Sequence, residues 1–171
     1  QFYKDEMTSE IFEKIIMKQE ITDAIKNNEF EVYYQPQIDI KTNKIIGAEA
    51  LLRWNHKNLG IIPPNEFIIH AEETKLIIPL GEYVLKTACS FMKELQDKKI
   101  LENAKVSVNI SPVQLKYSDI YKMVVDNLKI TNLDPSFLEL ELTETFIMEN
   151  VEESILILNN LKNIGIQLSI D

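Results

Sequence analysis

The chain has 171 residues, a formal net charge of −9, and 45% hydrophobic and 26% charged residues. That length suits one domain with a real core, and the composition is that of an ordinary globular protein, not a fibrous or disordered one. The acidic balance disfavours nonspecific binding to DNA or RNA polymers or to anionic membrane, and the single cysteine, Cys89, excludes a disulfide framework or a thiolate metal cluster within one chain.

From Glu6 to about Lys26, Phe12, Ile15, Ile16, Ile21 and Ile25 recur at roughly helical spacing, which predicts an amphipathic helix stopping at Asn27-Asn28. EVYYQPQID reads as a strand softened by Pro36, KTNK as a turn and KIIGAEALLRW as a second strand. The short connection predicts an antiparallel hairpin. NHKNLGIIPP reads as a loop, followed by helical patterns around Phe67 to Glu73 and from Leu80 to about Asp97. KVSVNIS is the next strand. Ser111-Pro112 sets an N-cap before a first-turn proline for a helix to about Leu128. Asn132 to Pro135 is a turn and FLELELTE a strand. A helix spans about Val151 to Ile164, with Gly165 at its C-cap, and IQLSID is the last strand. After the hairpin the alternation of strand and helix predicts a parallel sheet with covering helices.

No apolar run approaches the roughly 18 residues of a membrane span, and the polar opening QFYKDEMTSE does not read as a signal peptide. The chain opens on Gln1 and stops on Asp171 directly after an alternating run, so both ends read as cuts through a longer protein.

Side chains alternate faces along a strand. Leu138, Leu140 and Leu142 share one face, and Glu139 and Glu141 the other. Val106 and Val108 oppose Ser107 and Asn109; Ile166, Leu168 and Ile170 oppose Gln167, Ser169 and Asp171. An open sheet covered on both faces would read apolar on both parities. One apolar and one polar parity, three strands running, favour a closed barrel whose polar parity points inward. A half-exposed sheet with a solvated acidic face also fits any single strand. On the barrel reading, Asn109, Glu141 and Asp171 converge at the strand-end mouth, joined by Glu49. Three acids and an amide are hard oxygen donors, a set suited to Mg²⁺ or Mn²⁺.

The series of blocks is more specific than the parity. YYQPQIDI (Tyr33 to Ile40) precedes GAEALLRW (Gly47 to Trp54), then GIIPPNEFI (Gly60 to Ile68) with Ala71-Glu72. SVNIS (Ser107 to Ser111) with Gln114-Leu115 follows, then LELELTET (Leu138 to Thr145) and LSID (Leu168 to Asp171). Ordered and spread over residues 30 to 171, they resemble the EAL domain family, which hydrolyses the bacterial second messenger cyclic di-GMP. The resemblance implies a modified (β/α)₈ TIM-like barrel with an antiparallel first strand, here incomplete at about five strands. It implies metal ligands at Glu49, Asn109, Glu141 and Asp171, with Asp171 bridging a two-metal Mg²⁺ or Mn²⁺ site. Such metals polarise a phosphodiester oxygen and generate hydroxide from water, so that one P–O bond breaks to give linear pGpG. Glu49 is thus expected to be catalytic; Glu144 resembles the family's loop glutamate, which supports the acidic metal loop. Arg53, the only arginine in the chain, matches a phosphate-binding position, where a guanidinium can bind bidentately. Gln35 matches a guanine-binding glutamine, and Leu51 a residue packing on the nucleotide. His56 and His70 match no family ligand and are expected in a surface loop and on a helix face; Cys89 is expected in the core.

A complete barrel of this kind needs about 250 residues. The chain stops at the first aspartate of the family's DDFGTG run, so the second aspartate, the catalytic lysine and a later metal-binding glutamate fall beyond it. The 171-residue chain alone is therefore expected to be inactive. Residues 1–28 resemble the linker helix joining a GGDEF domain to an EAL domain, and residues 29–171 the N-terminal portion of the barrel. The expected partners are cyclic di-GMP, an upstream GGDEF or sensory domain, and a second copy of the chain. The expected location is the cytoplasm, with any membrane anchor elsewhere in the parent. The alternative is a catalytically degenerate EAL domain that acts as a cyclic di-GMP receptor or interaction module.

Overall fold

The computed structural model describes residues 2–101, 103–143 and 151–170. The chain begins with helix α1 (Phe2–Lys26) and the hairpin strands β1 (Phe30–Asp39) and β2 (Lys44–His56), then a short strand β3 (Gly60–Ile62). Helices α2 (Pro64–Glu73) and α3 (Ile77–Asp97) lead to β4 (Lys105–Ile110). Next come α4 (Pro112–Tyr117), α5 (Ile120–Thr131), a 3₁₀ turn (Pro135–Phe137) and β5 (Leu138–Leu142). Helix α6 (Val151–Asn163) and strand β6 (Gln167–Ile170) complete the order.

The main path through the sheet is β1-β2-β4-β5-β6, with β3 paired to β2. β1 is antiparallel to β2, and β2, β4, β5 and β6 run parallel. This is the strand order of a TIM-like (β/α)₈ barrel with an inverted first strand, and among the described residues the sheet is an open arc of that barrel. The sixth strand is β3, which falls where a loop was expected. Trp54, Asn55 and His56 pair with Ile62, Ile61 and Gly60, and Gly60 takes a φ of +77° at the return.

The apolar parity faces the helices. Val106, Val108, Leu138 and Leu140 are fully buried, as are Trp54 of β2 and Phe67 of α2. Each such large apolar side chain contributes roughly 1.5–3 kcal/mol on burial. Cys89 lies in this core, where burial pushes its thiol up to about 12. The polar parity stands on the opposite face: Glu139 and Glu141 are half-buried and Asn109 is exposed.

The helices differ from the sequence reading in several respects. α3 begins at Ile77, before Pro79, because a proline in the first turn forfeits only an N–H that has no intrahelical partner. The single helix expected after Ser111 is two helices. Ser118 adopts an extended backbone, and Asp119 caps α5 by accepting from Lys122 N–H at 2.9 Å; short polar side chains that bond locally interrupt a helix in this way. Over residues 14–26 of α1, Ile21 and Ala24 are buried, whereas Ile15 and Ile16, expected on the same apolar face, are exposed.

Candidate functional site

On β2, Glu49, Leu51 and Arg53 alternate with the buried Ala50, Leu52 and Trp54, so the three share the face turned away from the helices. β1 lies antiparallel against them, with Gln35 opposite Glu49, Tyr33 opposite Leu51 and Glu31 opposite Arg53. Directly opposed residues share a sheet face, which puts Gln35 next to Glu49 and Tyr33 next to Leu51.

From the other side, β4 supplies Asn109. Its Nδ2 donates to Glu49 Oε1 at 2.7 Å. Glu141 is in parallel register with Asn109, and Ser169 of β6 with Glu141. Asn109 and Glu141 are the penultimate residues of their strands, so both stand at the carboxyl ends, where a barrel places its active site. Glu49, Asn109 and Glu141 thus come from three adjacent strands. Glu144 and Asp171 lie outside the described residues. Among the described residues no three His, Cys, Asp or Glu side chains form a metal-holding group; the described part of the rim has two carboxylates and an amide.

Arg53 Nη1 donates to the Leu52 carbonyl at 2.9 Å. Its guanidinium carbon lies 5.8 Å from the centre of the Tyr33 ring, and Tyr33 is 44% exposed. Sequence reading missed Tyr33 as a site-face residue. The signal was available, because it stands two positions before Gln35 and therefore on the same face.

The turn after Asn109 is tied on two sides. Ser111 Oγ donates to Glu72 Oε1 at 2.7 Å and accepts from Val113 N–H at 3.1 Å. Ser111 N–H donates to Gln114 Oε1 at 3.0 Å, completing a capping box. The spacing Ser-x-x-Gln carried that box in the sequence; the partner Glu72, on α2, did not follow from it. Beside this turn lies a cavity of about 280 Å³ whose lining includes Leu51, Pro64, Glu72, Asn109, Ser111 and Thr143.

The histidines stand apart from the rim donors. His56 ends β2, and its Nδ1 accepts from the N–H groups of Asn58 and Leu59 at 3.2 Å each. His70 is on α2, with Nδ1 3.9 Å from Glu73 Oε2.

Asn109 and Glu141 stand at strand ends, whereas Glu49, expected there too, lies in the middle of β2, near the end of its Gly47–Ala50 ladder with β4. Parallel strands with an inverted first strand, helices on one face, and these oxygen donors on the other define a TIM-like barrel domain. The chain belongs to the EAL domain family, which matches residues 18–171. It is 33% identical over 170 residues to the bifunctional diguanylate cyclase/cyclic di-GMP phosphodiesterase MucR of Pseudomonas aeruginosa, covering 99% of this chain and 25% of the relative. It is 32% identical over 169 residues to the cyclic di-GMP phosphodiesterase PdeR of Escherichia coli, with 99% and 25% covered. Among solved structures, a PaMucR phosphodiesterase in complex with c-di-GMP superposes with a TM-score of 0.87 at 34% identity, over 91% of this chain and 62% of that one. The chain spans about a quarter of the length of these two curated relatives.

Proposed function

We propose that this chain is part of a cyclic di-GMP phosphodiesterase whose complete barrel hydrolyses the cyclic dinucleotide to linear pGpG with Mg²⁺ or Mn²⁺. The observation that carries the reading is the hydrogen bond between Glu49 and Asn109, with Glu141 in register beside Asn109 on the same sheet face. Relatives named for this activity, and a solved relative described as a c-di-GMP complex, support the substrate class.

The donor set fits a hard cation. Glu49 and Glu141 offer carboxylate oxygens. Asn109 spends an N–H on Glu49, so its amide carbonyl is the atom suited to a metal. Asp171 is the fourth expected ligand, and Glu144 the expected support for the acidic loop. The bound cations supply Lewis acidity toward the phosphodiester and lower the pKa of a water. The protein's own groups bind and orient. Arg53 spends one N–H on Leu52, and the remaining donors of its planar fork suit a phosphate. Gln35 can both donate to and accept from a guanine edge, and Leu51 offers an apolar contact beside it.

The proposal extends to context. Residues 1–28 act as the helix from an upstream GGDEF or sensory module, the protein works in the cytoplasm, and it pairs with a second copy of itself. Among the described residues no helix is long and apolar enough to cross a membrane. The 171-residue chain alone does not turn over; in support, its described strands form an open arc and not a closed barrel.

The test compares cyclic di-GMP turnover with Mg²⁺ by this chain and by the domain extended to a full barrel. Turnover to pGpG by the extended form only is the expected result. Comparable rates would refute the inactivity of the shorter chain. Binding by calorimetry without product from the extended form would replace the enzyme by a receptor.

A further inference from the structure

Ala71-Glu72 and Gln114-Leu115 belong to the motif blocks of this sequence, yet neither pair reaches the rim donors. We infer that Glu72 is a positioning residue, which clamps the β4–α4 turn through Ser111 and so holds Asn109 against Glu49.

The hydrogen bonds have one consistent direction. A serine hydroxyl has a single proton. Ser111 Oγ accepts from Val113 N–H, so its proton is directed to Glu72 Oε1. A carboxylate acceptor makes this a charge-assisted bond, about twice as strong as a neutral one. The same residue is held from the opposite side. Its N–H donates to Gln114 Oε1, and Gln114 is 1% exposed. The Gln114 amide lies so close to Gly81 of α3 that a Cβ there would come within 2.0 Å of Nε2.

The first peptide after β4 is therefore fixed from α2 by Glu72 and from α3 by the Gly81–Gln114 contact. Asn109 lies two residues before Ser111 on the same backbone and makes its own bond to Glu49 at 2.7 Å. Glu72, Ser111 and Asn109 also line one cavity. An unclamped turn gives the Asn109 amide freedom to leave Glu49. Outer partners of a metal ligand typically set 10- to 100-fold of metal affinity, and Glu72 acts on Asn109 in this way. The metal part of the inference rests on the ligand role proposed above; the clamp itself does not.

The experiment records the Asn109 side-chain amide signals by ¹⁵N NMR in this chain, and then titrates Mn²⁺ alone into the domain extended to a full barrel, by electron paramagnetic resonance. The variants are Glu72→Ala, Glu72→Gln and Ser111→Ala, with Val124→Ala on α5 as a core-truncation control. Glu72→Ala and Ser111→Ala are expected to shift or broaden the Asn109 amide pair and to weaken Mn²⁺ binding about 10- to 100-fold. Glu72→Gln, which keeps an acceptor oxygen, retains the native amide signal, and Val124→Ala leaves it unmoved. An Asn109 signal unchanged in both Glu72→Ala and Ser111→Ala overturns the clamp. An extended domain that binds no Mn²⁺ while the amide still responds supports the clamp and refutes the metal role of Asn109 instead.

Discussion

Asn109 Nδ2 and Glu49 Oε1 are 2.7 Å apart, although the two residues are separated by 60 positions in the chain. The contact joins the strand that follows the hairpin turn to the first strand reached by a helical crossover. It brings together two of the oxygen donors on which the proposed chemistry depends.

Replacing Glu49 by alanine tests that dependence. Glu49 is half-buried and outside the apolar core, so the cost to folding is limited to about one hydrogen bond, roughly 1 kcal/mol. Turnover by the complete domain should fall by more than about 100-fold, beyond the range of outer-shell partners. Product analysis and a thermal melt on the same sample check both parts. A variant that unfolds would count against placing Glu49 in the site.

Arg53→Lys preserves the charge and removes the planar fork. A lysine is a point charge and cannot meet phosphate oxygens bidentately. KM for cyclic di-GMP should rise about tenfold, equivalent to about 1.4 kcal/mol, with a smaller change in kcat. Steady-state kinetics decide it, and an unchanged KM removes Arg53 from phosphate binding.

Gly81→Ala places a methyl group where the Gln114 amide now sits, 2.0 Å from Nε2. Gln114 is buried and bonded to Ser111, so it cannot swing aside without breaking the capping box. Overpacking of this sort costs about 1–3 kcal/mol. Denaturant unfolding should show that loss; a variant as stable as the native chain would mean that α3 and the turn separate easily.

Acid should loosen the hairpin turn. The Thr42 hydroxyl and N–H both donate to Asp39 Oδ1, at 2.8 and 2.7 Å. These bonds, the hydroxyl foremost, hold the Asp39 carboxyl below its ordinary value. A depressed carboxylate stabilises the fold above its unfolded pKa, and that contribution disappears as pH falls through the folded value, below about pH 4. Thr42→Val should raise the Asp39 titration toward the ordinary value in a carbon-detected NMR series. An unmoved titration would show that the hydroxyl is not the cause.

The parity of β5 was legible because period-two alternation over Leu138 to Leu142 leaves only one choice of buried face. The parity of β4 was legible in the same way. The break between α4 and α5 was harder to read, since Ser118 and Asp119 are tolerated inside helices and only their local hydrogen bonds stop the turn. Strand β3 was missed because Ile61 and Ile62 sit among turn residues, and their strand character comes from pairing with Trp54 and Asn55. Tyr33 shares the parity of Gln35, but its approach to Arg53 depends on hairpin register.

Alternating hydrophobicity and the order of the motif blocks were enough, read from the amino acids, to define the barrel and to nominate its strand-end donors. Periodicity is a local property, set by backbone geometry over a few residues. Contacts between distant segments are not local. That Asn109 meets Glu49, and that Glu72 reaches Ser111 across 39 positions, was decided by strand register and by the seating of α2 and α3 on the sheet. Packing of whole elements sets those distances, and no short stretch of sequence contains them.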